Sequence, residues 1–339
     1  MKKIIAIIAM LSVVCVLKAQ QTLYLSKSLS NESIKNVEAK TSGGSITVAG
    51  GYMEDARVEV YISGNGHELS KEEIQSRLDE SYELKVSVEN NKLIAIARQK
   101  HNNMNWKRSL NIAFKIYVPQ NVSTDLGTSG GSITISNLNG TQDFQTSGGS
   151  LTVEKLTGKI VGVTSGGSIH VSDSKDDIDL ETSGGSIEAS NCSGKIRLGT
   201  SGGSLHLQGL KGDVKATTSG GSVNGKNISG ELVTSTSGGN VHLYDLSASL
   251  DASTSGGNID VELNDVGKYI KLNNSGGNIS LVIPKDRGYD LNLYGKIHTN
   301  SLNNFNGTTK EKELHGKING GGIPVTADAG DGKITLGFK

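Results

Sequence analysis

The sequence is poor in cysteine, proline and aromatic residues, and it carries no net charge. Its 339 residues include two cysteines, three prolines and 4% aromatic residues, with 34 basic residues against 34 acidic ones. A chain without net positive charge offers no electrostatic footprint for nucleic acid or for an anionic membrane. The scarcity of rings argues against a strong glycan site, because such sites usually present exposed aromatic platforms. The information about the fold therefore comes from glycine and from short segments in which apolar and polar residues alternate.

Long apolar runs are also scarce, since the longest run, Ile4 to Leu17, has 14 residues. A spanning helix needs ~20 apolar residues, so the run predicts no transmembrane segment. Two lysines precede it and Lys18-Ala19 follows, which predicts a secretion signal over residues 1–19. Removing the signal would leave 31 basic and 34 acidic residues, a net charge of −3. We expect an exported protein that is periplasmic, on the cell surface or extracellular, with Cys192 alone and hence no internal disulfide.

Glycine is abundant, with 45 residues, and much of it recurs with a fixed spacing. The tripeptide Ser-Gly-Gly begins every 18 residues, at Ser129, Ser147, Ser165, Ser183, Ser201, Ser219, Ser237 and Ser255. A further copy begins 20 residues later, at Ser275. A period held this strictly is typical of a solenoid in which each repeat is one structural unit.

Each repeat reads as two short strands. With the serine as position 1, positions 5, 7 and 14 are apolar in most copies and alternate with polar residues, so one strand face is buried. Ser-Gly-Gly is expected to form one turn by adopting positive φ, and the second turn is expected at position 12, where glycine recurs. Threonine at position 18 is expected at an inner corner, bonded to a neighbouring rung. Cys192, at position 10, is expected to be a buried thiol.

These patterns predict an all-β fold, a single-chain parallel β-solenoid (β-helix) with 18-residue rungs ~4.8 Å apart. The general crossover rule makes it right-handed. We place the repeats at 127–283, between an amino-terminal β cap at 20–126 and a β-rich carboxy-terminal cap at 284–339. The first cap carries one short helix near 70–82, since Ser70 and Glu73 have capping-box spacing, and residues 41–48 (TSGGSITV) already match the repeat. The second cap is expected to hold a polar loop over 301–312.

One outward row, at position 6, is distinctive because it carries three of the seven histidines. The candidate binding residues in it are His170, Glu188, His206 and His242. His170 and His206 would lie ~9.6 Å apart on either side of Glu188, too far to share one metal at ~2.1 Å bond lengths. The row therefore favours hydrogen bonding and charge pairing on a solvated face. No metal and no cofactor is predicted, although a weak metal site at this row or at the turn Asp173–Asp179 stays open.

A carbohydrate-active β-helix enzyme is the catalytic alternative. Positions 13 and 15 do supply a charged face, but their signs alternate as in ion-pair ladders between rungs. The turns are uniformly short, whereas enzyme sites usually interrupt a repeat with a long loop. We therefore predict no catalytic residues and no enzymatic activity.

Three segments resemble a known family. The TSGGSI phrase, the IYVPQNV segment before the repeats and the closing GKINGGGIPVTADAGDGKITLGF are similar to the bacterial putative-adhesin family of secreted cell-envelope proteins. The resemblance implies a β-helical solenoid and an adhesive role, and it brings no catalytic residues. The sequence thus predicts a secreted, non-enzymatic envelope protein whose repetitive surface binds an envelope, matrix or glycan ligand. The alternatives are a structural or spacer scaffold and, third, the carbohydrate-active enzyme.

Overall fold

The computed structural model describes residues 22–65, 69–100, 108–299 and 302–339. The predicted secretion signal lies outside the described residues. The described chain contains 27 strands and one helix. The amino-terminal elements are β1 Thr22–Ser28, β2 Asn36–Thr41, β3 Ile46–Gly50, β4 Arg57–Gly64, α1 Lys71–Ser81, β5 Tyr82–Glu89, β6 Lys92–Gln99 and β7 Leu110–Val118.

The remaining elements are all strands. The repeats form β8 Ser123–Thr128, β9 Ile133–Ser136, β10 Asn139–Thr146, β11 Leu151–Glu154, β12 Thr157–Thr164, β13 Ile169–Ser172, β14 Lys175–Thr182, β15 Ile187–Ser190, β16 Ser193–Thr200, β17 Leu205–Gln208, β18 Lys211–Thr218, β19 Val223–Lys226, β20 Ser229–Thr236, β21 Val241–Thr254, β22 Ile259–Asn274 and β23 Ile279–Ile283. The carboxy-terminal strands are β24 Tyr289–Thr299, β25 Phe305–Lys310, β26 Glu313–Ile318 and β27 Ile323–Phe338. None of the described residues forms a helix that is long and apolar enough to cross a bilayer.

Short and long strands alternate along the repeats and stack in two columns. Each long strand pairs in parallel with the next long strand, so that Gln142 lies opposite Ile160. Each short strand pairs with the next short strand in the same way, with Leu151 opposite Ile169. In both examples the partners are 18 residues apart in sequence. The prediction of an all-β, mostly parallel fold is confirmed.

The core lies between the two columns. The inward residues of short strands (Ile169, Val171) and of long strands (Ile178, Leu180) are at most 2% exposed. Burying one such side chain contributes roughly 1.5–3 kcal/mol, and stacking makes the apolar strip continuous from rung to rung. The alternation of apolar and polar residues in the sequence therefore correctly predicts which face of each strand is buried.

The third residue of each repeat is glycine because neighbouring rungs approach closely there. A Cβ built at Gly167 would overlap the carbonyl oxygen of Gly149, and a Cβ at Gly185 would overlap that of Gly167. None of the described Ser-Gly-Gly glycines has a positive φ. The expectation that these glycines supply positive φ is wrong. A side chain is excluded at the third residue because the backbones of neighbouring rungs approach closely there, and not because the turn requires a particular backbone conformation.

The second turn also differs from its expected place. The break between each short strand and the following long strand falls at positions 9 and 10, and the residue at position 9 is left-handed, with a φ of 56° at Asn137, 51° at Asp173 and 53° at Asn191. The glycines at position 12, such as Gly158 (φ 114°), lie at the beginning of the long strands. The prediction of a turn centred on position 12 is therefore wrong. The turn at position 9 is not marked by one recurring residue type in the sequence, because Asn, Asp and Gly all tolerate left-handed backbone.

The threonines at position 18 hold each corner to the previous rung. Thr164 is buried, donates its hydroxyl to the carbonyl oxygen of Gly149 at 2.8 Å, and accepts from the Gly167 N–H at 3.3 Å. In the last copy Asn274 takes over, since its side-chain amide donates to Gly257 and its carbonyl oxygen accepts from Gly277. The predicted hydrogen bonding between rungs is confirmed.

At the amino-terminal end the spatial order of the strands departs from the chain order. β2 pairs in parallel with β8 on one side and with β6 on the other, and β3 lies in the same way between β9 and β7. The early repeat copy at 41–48 therefore stacks directly on the first regular copy. Antiparallel strands then cover the end, β5 on β6, β4 on β7 and β1 on β4. The predicted helix is present, with Ser70 accepting from the Glu73 N–H at 3.2 Å.

At the carboxy-terminal end, too, the spatial order of the strands departs from the chain order. The last strand, β27, pairs in parallel with β22 and β23 on one side and with β24 on the other. β26 then runs antiparallel to both β24 and β25. The expectation of a polar loop over 301–312 is wrong for residues 305–310, which form β25. The segment has no apolar alternation because this strand lies at the edge and is largely exposed.

Asp176 provides a stability prediction, because it stands where neighbouring repeats have glycine. It pairs in register with Gly158 and Gly194, and its φ is 87°. Left-handed backbone costs a residue with a Cβ about 1–2 kcal/mol, which a glycine avoids, although part of the gain is offset in the unfolded chain. Asp176→Gly is expected to raise the free energy of unfolding by about 0.5–1 kcal/mol in urea titrations. Asp176→Ala, which keeps the Cβ, should bring no gain, and equal effects of both variants would contradict the explanation.

Candidate functional site

The candidate binding residues lie on one outer face of the short strands, here called row six. Register pairing places His170 beside Glu188, Glu188 beside His206, His206 beside Asn224, and Asn224 beside His242. All five side chains point away from the core, because they alternate with buried neighbours along their strands. Row six is therefore a continuous polar line across five strands.

Two of the three histidines in row six have a carboxylate partner. His170 Nε2 lies 3.3 Å from Glu188 Oε2, and His242 Nδ1 lies 3.1 Å from Asp260 Oδ2. His206 forms no ion pair or hydrogen bond through its side chain with any described residue. Glu188 therefore turns toward His170, and the ends of the row are paired while its centre is not.

The acidic side chains that the sequence offers as metal ligands lie apart from one another in the structure. Asp173 accepts from the Asn191 side chain at 3.3 Å in the turn, whereas Asp179 faces Arg197 at 3.8 Å on the long strand. Among the described residues no group of three or more histidine, cysteine, aspartate or glutamate side chains is placed to hold a metal ion. The acidic residues of the Asp173–Asp179 segment belong to different parts of the rung and do not converge.

A second outward row, at position 8 of the same strands, lies beside row six and is here called row eight. Register pairing orders it as Ser190, Gln208, Lys226 and Tyr244. Between the two rows lies a shallow depression of about 250 Å³ across β15, β17, β19 and β21. Asn224 is shorter than the histidines on either side of it, which lowers the floor of the row at that point. Row eight is not recognisable in the sequence, because its four side chains share no chemistry.

The rings of the regular copies differ in burial. Phe144, at position 16, is 1% exposed inside the core, whereas Tyr244, at position 8, is 44% exposed at the rim of the depression. The positions explain the difference, because even positions face inward on long strands and outward on short ones. This parity is the signal that could have singled out Tyr244 from the sequence.

The long strands carry the charged face. Arg197 lies 3.8 Å from Asp179, and Lys271 lies 3.2 Å from Asp251, each pair joining neighbouring rungs. These two pairs confirm that ion pairs cross between rungs at position 15. Both pairs are partly exposed, so each contributes little to stability.

Cys192 is buried, as predicted. The side chain is 1% exposed and its thiol donates to the carbonyl oxygen of Ser190 at 3.3 Å. Burial raises the pKa of the Cys192 thiol, so it stays in the unreactive protonated form. Cys192 therefore acts as a small packing residue.

The chain matches a known family over its carboxy-terminal part. Residues 213–337 match the family model described as Toastrack DUF4097. The match confirms the family resemblance and applies to the carboxy-terminal part of the chain, from β18 to the end of β27. This Toastrack segment includes His242 and Tyr244, while His170, Glu188 and His206 lie before it. Comparison with curated proteins gives no match.

Two solved structures are similar over most of the chain. One is a putative cell adhesion protein from Clostridium sporogenes, with 13% identity and a TM-score of 0.20, covering 94% of this chain and 100% of the other. Another is a putative adhesin from Bacteroides fragilis, with 14% identity and a TM-score of 0.24, covering 94% of this chain and 98% of the other.

Proposed function

We propose that this protein is exported and acts as a non-enzymatic, adhesin-type binding protein of the cell envelope. The observation that carries the proposal is the open depression beside row six, where polar side chains line a shallow surface across four strands. Such a surface suits a ligand that lies along the solenoid. His170, Glu188, His206 and His242 are the proposed contact residues.

The proposal includes the finer architecture. We infer a right-handed solenoid over 127–283 with one 18-residue rung per repeat, following a secretion signal at 1–19. Caps at 20–126 and 284–339 would close its ends. In-register pairing between residues 18 apart supports the rung length, and the general rule for parallel crossovers supports the handedness. In this arrangement each rung adds one further set of outward side chains to the same face.

Binding by such a face would depend on several modest contacts. Open polar surfaces hold ligands through a few well-placed side chains, with the surrounding contacts contributing little. A periplasmic, cell-surface or extracellular location gives the face access to envelope polymers or to matrix outside the cell. The partner is accordingly an envelope, matrix or glycan ligand, with no nucleic acid.

A binding assay with matched variants tests this proposal. Residues 20–339 would be immobilised and exposed to native envelope fractions and to matrix preparations, with binding followed by biolayer interferometry. Truncating His170, His206 and His242 to alanine together should weaken binding by about tenfold or more. The control truncates Lys159, Asp213 and Lys215 to alanine on the outer face of the long strands, and should leave binding unchanged.

Three outcomes contradict the proposal or its contact residues. Absence of binding by the unaltered chain to every preparation would favour a structural or spacer role. Release of reducing or unsaturated ends from a polysaccharide panel would favour the enzyme. Equal weakening by the two triple variants would place the contacts outside row six.

A further inference from the structure

The middle of the depression contains three polar side chains that no part of the described chain satisfies. The side chains of His206, Gln208 and Asn224 form no hydrogen bond or ion pair with any described residue. They lie on two neighbouring strands and are held side by side by register pairing. Together they offer amide and imidazole groups that can both donate and accept hydrogen bonds.

The charged residues around this centre are already paired. Lys226 Nζ lies 3.6 Å from Asp245, and His242 Nδ1 lies 3.1 Å from Asp260. Glu188 faces His170 at the other end of the row. The charged groups of the rim thus have partners within the chain, and the groups in the middle without such partners are two amides and an imidazole. This combination suits a ligand with many hydroxyl groups and no charge.

Tyr244 adds an aromatic surface at the end of row eight. It is 44% exposed, it follows Lys226 in register, and its strand carries His242 two residues earlier. Its exposed ring makes no aromatic or cation contact with any described residue. An exposed ring beside amide groups is the arrangement that binds the apolar face of a pyranose while its hydroxyls are hydrogen-bonded.

The dimensions suit a short linear saccharide. The depression crosses four strands, β15 to β21, which is roughly 14 Å at ~4.8 Å per strand. A glycan with extended linkages repeats at a length close to that strand separation, so successive sugar rings would meet successive rungs. A peptide has less to gain, because the backbone groups of these inner strands are already paired on both sides.

We propose that this depression binds a linear, neutral oligosaccharide. One pyranose ring stacks on Tyr244, and the hydroxyls of the neighbouring sugars are hydrogen-bonded by Gln208, Asn224 and His206. The inference rests on the proposed function and specifies the ligand class for the same face. Row eight supplies the specificity that row six lacks, since it holds the ring and one of the two amides.

The test uses residues 20–339 and four defined probes in isothermal titration calorimetry. The probes are linear hexasaccharides of β-1,4-linked glucose, β-1,4-linked N-acetylglucosamine and β-1,4-linked mannose, with oligogalacturonate as the acidic comparison. At least one neutral probe is expected to bind. Tyr244→Ala should weaken that binding by about tenfold, since both the stacked ring and its buried area are lost.

Matched variants separate the ring from its hydroxyl and the site from the rest of the surface. Tyr244→Phe keeps the ring and should retain binding, whereas Gln208→Ala combined with Asn224→Ala should weaken it about tenfold. Lys215→Ala, on the outer face of the long strands, should bind like the unaltered chain. Far-UV circular dichroism checks that each variant is folded, as expected for outward side chains.

The outcomes distinguish this inference from the broader proposal. Binding of envelope fractions without binding of any probe would overturn the oligosaccharide site and leave the proposed function standing. Binding of oligogalacturonate alone, abolished by Lys226→Ala, would overturn the neutral class. Undiminished binding by Tyr244→Ala would overturn the stacking site, and failure to bind both fractions and probes would overturn both proposals.

Discussion

A Gly167→Ala variant is expected to lose about 3–5 kcal/mol of unfolding free energy, the range of severe core disruptions. The added methyl group would overlap the carbonyl oxygen of Gly149 in the rung below. That oxygen also accepts the hydroxyl of Thr164, so the clash would disturb a corner hydrogen bond. Because the neighbouring atoms are backbone, relief requires two stacked rungs to separate. Urea unfolding followed by far-UV circular dichroism measures the loss.

Gly166→Ala is the matched control, since it alters the adjacent glycine in the same turn. A Cβ at Gly166 would lie 3.5 Å from the carbonyl oxygen of Ser147, which is an ordinary van der Waals contact. The free energy of unfolding should change by no more than about 0.5 kcal/mol. Similar losses in both variants would mean that general turn flexibility, and not the close approach at the third residue, explains the glycine.

Thr164→Val is expected to cost about 2–3 kcal/mol, although valine has nearly the same shape as threonine. The hydroxyl of Thr164 donates to Gly149 at 2.8 Å and accepts from Gly167 at 3.3 Å, at a site that is 1% exposed. Valine would leave a buried carbonyl oxygen and a buried N–H without partners. The same urea titration measures the change, with the midpoint and the slope compared separately.

Two controls accompany this variant. Thr164→Ser keeps the hydroxyl and loses one methyl group, so it should cost about 1 kcal/mol. Thr152→Val changes an outward threonine of row six that is exposed, and it should leave stability within about 0.5 kcal/mol. If Thr152→Val were as costly as Thr164→Val, strand propensity and not the corner hydrogen bond would be responsible.

Much of the fold could be predicted because alternation carries a physical meaning at each residue. Ile169 and Val171 were expected inside and lie inside, and Thr164 was expected to bond a neighbouring rung and does. The turn at position 9 was missed because its residues share a backbone conformation and not a side chain. The edge strand at 305–310 was missed because an exposed edge needs no apolar alternation.

The candidate site was only partly visible in the sequence. Row six stood out because histidine is rare and recurs in alternate rungs, and its side chains do lie in one line. Row eight has no recurring chemistry, so Gln208 and Tyr244 gave no pattern. Which polar groups remain unsatisfied depends on distances across strands, as when Glu188 faces His170 and leaves His206 unpaired. The spacing of residues along the sequence does not give the distances between side chains on neighbouring strands.

The sequence by itself determined the parallel stacking and the composition of the core, because an apolar strip repeated at a fixed interval is buried only when copies stack. Only the tertiary structure decided how the ends are closed, with β6 and β7 lying beyond β2 and β3, and β27 inserted before β24. It also decided which outward side chains share a depression. Both depend on contacts between residues far apart in the chain, and no local periodicity records them.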